Sequence, residues 1–191
     1  MTGKRNSGQN ASAAAAAPAR DVTTFECLLK QDPTAEQFCT ELSKTFRVRS
    51  TEVALLRLEK GLLMFLHPEQ LKTAGAIPIS SSSSIASHTA VTRKVELFNT
   101  FAKVKHASIF EKVRLDAPVQ EKDESQPPEQ APIQKLMSAP VLDPEGKVLG
   151  VIQICRKGFE LSAAGRDFDL DDLQHLELAA KALSQASFMR S

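Results

Sequence analysis

The sequence predicts an α+β domain built on an antiparallel sheet, with helices toward both ends of the chain. Three observations carry this expectation. Apolar residues recur at helical spacing near the N-terminus and again near the C-terminus. Between them lie two pairs of β-favouring segments, each pair joined by a short turn that contains glycine. One of those segments, residues 148–155, is almost continuously apolar, as a central strand covered on both faces must be.

The bulk properties agree with a soluble domain. The chain has 191 residues, 42% of them hydrophobic and 25% charged, which suffices for one domain with a substantial core. A formal net charge of +1 and the lack of Trp and Tyr argue against a nucleic-acid partner, which needs a basic footprint and stacking rings. No stretch approaches the ~20 apolar residues of a membrane helix, so no membrane partner is expected. Lys4 and Arg5 followed by Ala13 to Ala17 imitate a secretion signal, but Ser12 and Pro18 interrupt the alanines. Residues 1–20 read instead as a disordered tail, and 21–191 as one domain. Cys27, Cys39 and Cys155 form no CxxC pair and fit a reducing, cytoplasmic location.

Along the chain, Phe25, Leu28 and Leu29 share the face of a first short helix. A second helix is expected to be capped by Asp32, with Pro33 in its first position and Thr34 with Gln37 as an additional capping arrangement. Its apolar stripe is Phe38, Leu42 and Phe46. Residues 51–58 and 62–66 form a hairpin around Glu59-Lys60-Gly61, where glycine supplies the positive φ. Residues 76–79 form a short strand that Pro78 places at an edge or strand end. The serines at 80–84 lead into a helix over 85–93, and 95–98 is another strand. A helix is expected over 108–115, with Ile109, Phe110 and Val113 on one side.

Residues 116–132 carry Pro118, Pro127, Pro128 and Pro132 among charged and polar side chains. Neither a helix nor a central strand tolerates that composition, so it is a long insertion within the domain. Loops of such length are functional or disordered, and the composition favours disorder. A second hairpin follows, 133–142 and 148–156 around Asp143-Pro144-Glu145-Gly146. The closing helix is capped by Asp169, favoured by Asp171 and Asp172 at its positive end, and stapled by Phe168 against Leu173. Leu173, Leu176, Ala180 and Leu183 are its buried stripe.

The hairpin Met137-Ser138-Ala139-Pro140-Val141-Leu142-Asp143 to Gly146-Lys147-Val148-Leu149-Gly150-Val151-Ile152-Gln153-Ile154 resembles the pattern "P-v-x-d-x-x-G-x-v-i-G-V-i-q" of GAF domains. Phe168 and Asp172 are similar to the family's "F-x-x-x-D" continuation. Residues 77–79 and 84–91 resemble its middle segment, with Ser84 and Ser87 where glycines are usual. The likeness covers about residue 33 to the C-terminus. It implies a GAF/PAS-like central antiparallel sheet with the terminal helices packed on one face. On the other face, a loop and short helix would enclose a ligand pocket.

The resemblance makes Ser82, Ser83, Ser84, His88, Thr89 and Asn99 the polar candidates for contact with a small molecule. Their alternative duties are helix capping for the serines and partial exposure for His88. Cyclic-nucleotide-binding members carry an Asn-Lys…Phe…Asp-Glu set, for which this chain has Arg156-Lys157, Phe168, Asp172 and Leu173. A Lys157–Asp172 contact would preserve part of that arrangement. The implied function is a non-catalytic sensory or regulatory module, stand-alone and of bacterial kind, with a small-molecule ligand of unknown identity. A homodimer or a protein partner would receive the signal.

Two other readings stay open. One is a ligand-free dimerising adaptor, in which Phe98, Phe101 and Phe110 fill the pocket. The other is an enzyme of the free methionine-sulfoxide reductase type, which shares the fold but needs several cysteines around the pocket. Neither a metal site nor a hydrolase is expected, since His67, His88, His106 and His175 lack ligand spacing and no GxSxG or P-loop occurs.

Overall fold

The computed structural model describes residues 25–81, 84–101 and 131–190. The expected tail, the helix over 108–115 and most of the insertion lie outside the described residues. Residues 25–29 are helical (α1), followed by α2 (Ala35–Phe46), β1 (Val53–Glu59), β2 (Leu62–His67), α3 (Glu69–Lys72) and β3 (Ala76–Pro78). Then come α4 (Ile85–Thr92), β4 (Glu96–Phe98), β5 (Ile133–Leu142), β6 (Val148–Lys157), α5 (Leu170–Leu183) and α6 (Ser187–Arg190).

Thr34, not Asp32, caps α2. The Thr34 amide donates to Gln37 Oε1 at 2.8 Å while the Gln37 amide donates to Thr34 Oγ1 at 3.2 Å. That reciprocal pair satisfies two free amides at once, so it prevails over a lone Asp32. Pro33 therefore precedes the cap, and Asp32 accepts a hydrogen bond from Ser187 Oγ at 2.7 Å, tying the start of the domain to its end. Phe38, Leu42 and Phe46 are all buried, and Phe25 stacks on Phe38 with ring centroids 5.3 Å apart.

All neighbouring strands are antiparallel, in the order β3-β2-β1-β6-β5-β4. The β1–β2 turn has both Lys60 and Gly61 at positive φ, 47° and 83°, which matches the twist of a two-residue hairpin. β3 and β4 are the edges, three residues each. β6 is central, and Gly150 is required there: a Cβ would lie 2.1 Å from the Leu56 carbonyl oxygen of β1 and 2.6 Å from Met189 Cε of α6.

Strand alternation divides the core in two. Val53, Leu55, Met137, Ala139, Ile152 and Ile154 pack with Phe38, Leu42, Phe46, Leu176, Ala180 and Leu183 from α2 and α5. Phe168 and Leu173 join the same cluster. The opposite face, with Leu56, Leu63, Phe65, Leu136, Val151 and Cys155, is covered by Ile85, Ala86 and Ala90 of α4 and by Phe101.

Candidate functional site

The second face is where the sequence places the pocket, and α4 lies across it. Ser84 caps α4 by accepting from the Ser87 amide at 3.4 Å. Ser87 is 1% exposed and donates its hydroxyl to the Pro78 carbonyl at 2.7 Å, which fastens α4 to edge strand β3. Both serines thus perform structural work at positions where the family pattern has glycine. Ala86 and Ala90 face the sheet, and their small side chains let the helix lie close to it.

A chain of polar groups runs beneath this helix. Ser138 of β5 and Gln153 of β6 are direct cross-strand partners, both buried on the α4 side. Gln153 Nε2 donates to Ser138 Oγ at 3.3 Å. The hydroxyls of Ser138 and Thr89 lie 2.7 Å apart, and Thr89 Oγ1 donates to Glu96 Oε2 at 3.3 Å. An ionised carboxylate only accepts, so the Thr89 proton points to Glu96 and the Ser138 proton must point to Thr89. All three donors are therefore aligned in one direction, and such chains polarise one another. Glu96 Oε1 then meets His88 Nε2 at 3.3 Å, with the His88 side chain 54% exposed. The row extends from the buried centre of the sheet to solvent.

Of the sequence candidates, the structure brings Ser84, His88 and Thr89 together on α4. Ser82 and Ser83 lie outside the described residues. Asn99 is engaged elsewhere: its Oδ1 accepts from the Phe168 amide at 2.9 Å and its Nδ2 donates to the Phe168 carbonyl at 2.8 Å. This two-way clamp joins the segment after β4 to the residue just before the α5 cap. Ser138, Gln153 and Glu96 were not singled out from sequence. Their only signal was polarity inside otherwise apolar strands.

The residues at the cyclic-nucleotide motif positions form a different assembly. Asp172 is held by Arg166, with Nη1–Oδ2 and Nη2–Oδ1 both 2.7 Å. Asp172 also completes a reciprocal cap with Asp169, at 3.0 and 2.9 Å. Burial would raise its pKa, but the Arg166 hydrogen bonds, the Asp169 amide and the charges of Arg166 and Arg156 outweigh that and hold it below the ordinary range. Arg156 lies 4.7 Å over the Phe168 ring and donates to the Phe46 and Arg47 carbonyls at 3.1 and 3.4 Å. These carbonyls close α2, so the guanidinium answers the negative end of that helix. The acid that the motif pairs with lysine is thus engaged by Arg166, a residue of the loop before α5.

Cys155 is fully buried on the α4 side and Cys39 on the other, while Cys27 is exposed. Burial pushes the Cys39 thiol far up. Among the described residues no three His, Cys, Asp or Glu side chains gather in a way that could hold a metal ion. Among the same residues no helix is long and apolar enough to cross a membrane.

The profile of the GAF domain family matches residues 32–186. No curated protein matches the chain by sequence. Solved structures of similar fold include the GAF domain from an Acinetobacter phosphoenolpyruvate-protein phosphotransferase, 9% identical with a TM-score of 0.61 over 87% of this chain and 90% of that one. A methyl-accepting chemotaxis protein, residues 122 to 287, is 12% identical with a TM-score of 0.58, over 87% and 93%. The type II free methionine-R-sulfoxide reductase from Thermoplasma acidophilum is 14% identical with a TM-score of 0.52, over 84% and 92%. At these identities the likeness is one of fold, and it spans a domain of a phosphotransferase, a chemotaxis protein and a reductase.

Proposed function

The chain belongs to the GAF domain family, and from that premise we propose that it is a non-catalytic sensory or regulatory module of the cytoplasm. It binds a small molecule between α4 and the sheet and relays occupancy to a protein partner or a second copy of itself. The observation that carries this reading is the row Gln153–Ser138–Thr89–Glu96–His88. Helix-on-sheet packing alone needs no row of buried polar side chains, which costs stability unless each member is hydrogen-bonded. A directed row ending in a carboxylate offers a ligand the polar contacts that fix orientation in an otherwise apolar site. Ser84, His88 and Thr89 are the proposed contacts from α4 and its cap, joined by Ser138 and Gln153 from the sheet, with Ser82 and Ser83 as further candidates implied by the resemblance. Asn99 serves as a positioning residue through Phe168.

A non-catalytic role is favoured over the sulfoxide-reductase chemistry because Cys155 and Cys39 are buried on opposite faces of the sheet. Thiols so placed cannot meet one another or a shared substrate. The test is native mass spectrometry of the purified protein, followed by identification of whatever small molecule it releases on unfolding. The expected result is a bound adduct that the T89V/S138A double variant no longer retains. A protein that carries no adduct, and that no fraction of a metabolite extract stabilises, would leave only the ligand-free adaptor.

A further inference from the structure

A recess of about 350 Å³ lies at the end of β6 between the α2–β1 link and the loop that leads to α5. Arg47, Arg49, Arg156 and Lys157 line it, with Glu52 its one acid, and small residues of the β6–α5 loop form the far wall. Glu52 offsets part of the Arg156 charge through space, without an ion pair. Its Oε1 accepts from the Lys157 amide at 2.7 Å and its Oε2 from the Arg49 amide at 2.8 Å, so both oxygens are occupied by backbone. Arg156 is 8% exposed, its Nη1 and Nη2 donate to two carbonyls, its ring contact is Phe168, and its buried Nε has no partner. Among the described residues neither Arg47 nor Arg49 enters an ion pair, and both are exposed.

Three arginines and a lysine thus line one concavity whose single acid also accepts from two amides. We propose that this recess is an anion site that takes a phosphoryl group, distinct from the ligand site proposed under α4. Guanidinium is planar, permanently charged and matched to oxyanions by its forked donors. The excess of positive charge favours a dianion over a carboxylate. The lining combines a buried arginine, Arg156, whose Nε has no partner, with the exposed Arg47 and Arg49. An occupant would bridge the end of α2 and the approach to α5, the two helices that cover the same sheet face.

Calorimetric titration of the full chain at fixed ionic strength tests this, with inorganic phosphate, glycerol 3-phosphate and acetate as probes. Saturable phosphate binding is expected, with acetate at least tenfold weaker. Arg47→Ala and Arg49→Ala, both at exposed positions, should each weaken it roughly tenfold. Lys44→Ala, an exposed cation outside the recess, and Thr89→Val at the site proposed under α4 should leave it unchanged. Tighter binding of glycerol 3-phosphate would identify a phosphomonoester as the occupant, and preference for inorganic phosphate the free ion. No saturable binding of either phosphate, equal binding of acetate, or indifference to both arginine substitutions would overturn the proposal.

Discussion

The hydroxyls of Thr89 and Ser138 lie 2.7 Å apart in the buried interior, joining helix α4 to strand β5 across 49 residues of sequence. Removing one member strands the other away from water, which typically costs about 1–3 kcal/mol, whereas removing both abolishes that shared cost and leaves chiefly Gln153 Nε2 without its acceptor. Thr89→Val and Ser138→Ala should each destabilise by that amount, and the double variant by clearly less than the sum. A urea-denaturation cycle measures the coupling; strict additivity would show that the contact contributes nothing.

Asp172 gives a pH signature. Its folded pKa lies below its unfolded value, so its contribution is fully present above the unfolded value of ~3.9 and lost as pH falls toward the folded one. Because Arg166 is half exposed, the ion pair itself is discounted to about 1 kcal/mol. Asp172→Asn should lower stability at pH 7 by about 1–2 kcal/mol, cap included. The gap between variant and wild type should shrink below pH 4.

His67 works in the opposite chemical sense. Burial, the largest effect, lowers its pKa against the opposing Ser50 carbonyl and Glu36 and with the help of Lys72. Its Nε2 donates to that carbonyl at 3.1 Å, which fixes the neutral tautomer. A histidine kept neutral by folding contributes above its unfolded pKa of ~6.5 and loses that contribution as pH falls below it. The melting temperature should therefore decline from pH 7 to pH 5, and less so in His67→Gln.

Gly150→Ala should be among the most damaging small substitutions. The added methyl meets a backbone oxygen of the adjacent strand, which no rotamer change relieves. Overpacking of this kind costs about 1–3 kcal/mol or more. A thermal-melt comparison with Gly75→Ala, where φ is +108° but no atom lies near, separates collision from backbone strain.

Thiol alkylation of the native protein should modify Cys27 rapidly and spare Cys39 and Cys155, with mass spectrometry reading a single adduct. Fast reaction at Cys155 would revive redox chemistry at the α4 side.

Much of the fold was legible because its signals are local. The Gly61 and Gly146 turns, the apolar run of β6 and the stripe Phe38–Leu42–Phe46 each depend on residues close in sequence. Where two local signals competed, as between Asp32 and Thr34, the outcome depended on which offered a reciprocal bond, and Gln37 decided it. The site was less legible because it is assembled from afar. Ser138 and Gln153 become partners only through strand register, and Thr89 reaches them only once α4 crosses the sheet. Asp172 found Arg166 rather than Lys157 through the shape of an irregular loop, which has no period to read.

The short edge strands bear on how copies of this chain meet. β3 is three residues long and ends in Pro78, which has no amide hydrogen to offer. On the far border, ten-residue β5 outruns three-residue β4, and Pro140 stands in the stretch beyond the last pair. An incoming strand thus finds few consecutive donors on either side, the arrangement by which natural sheets resist edge-to-edge aggregation. Among the described residues, growth of the sheet by an added strand is thus discouraged at both borders.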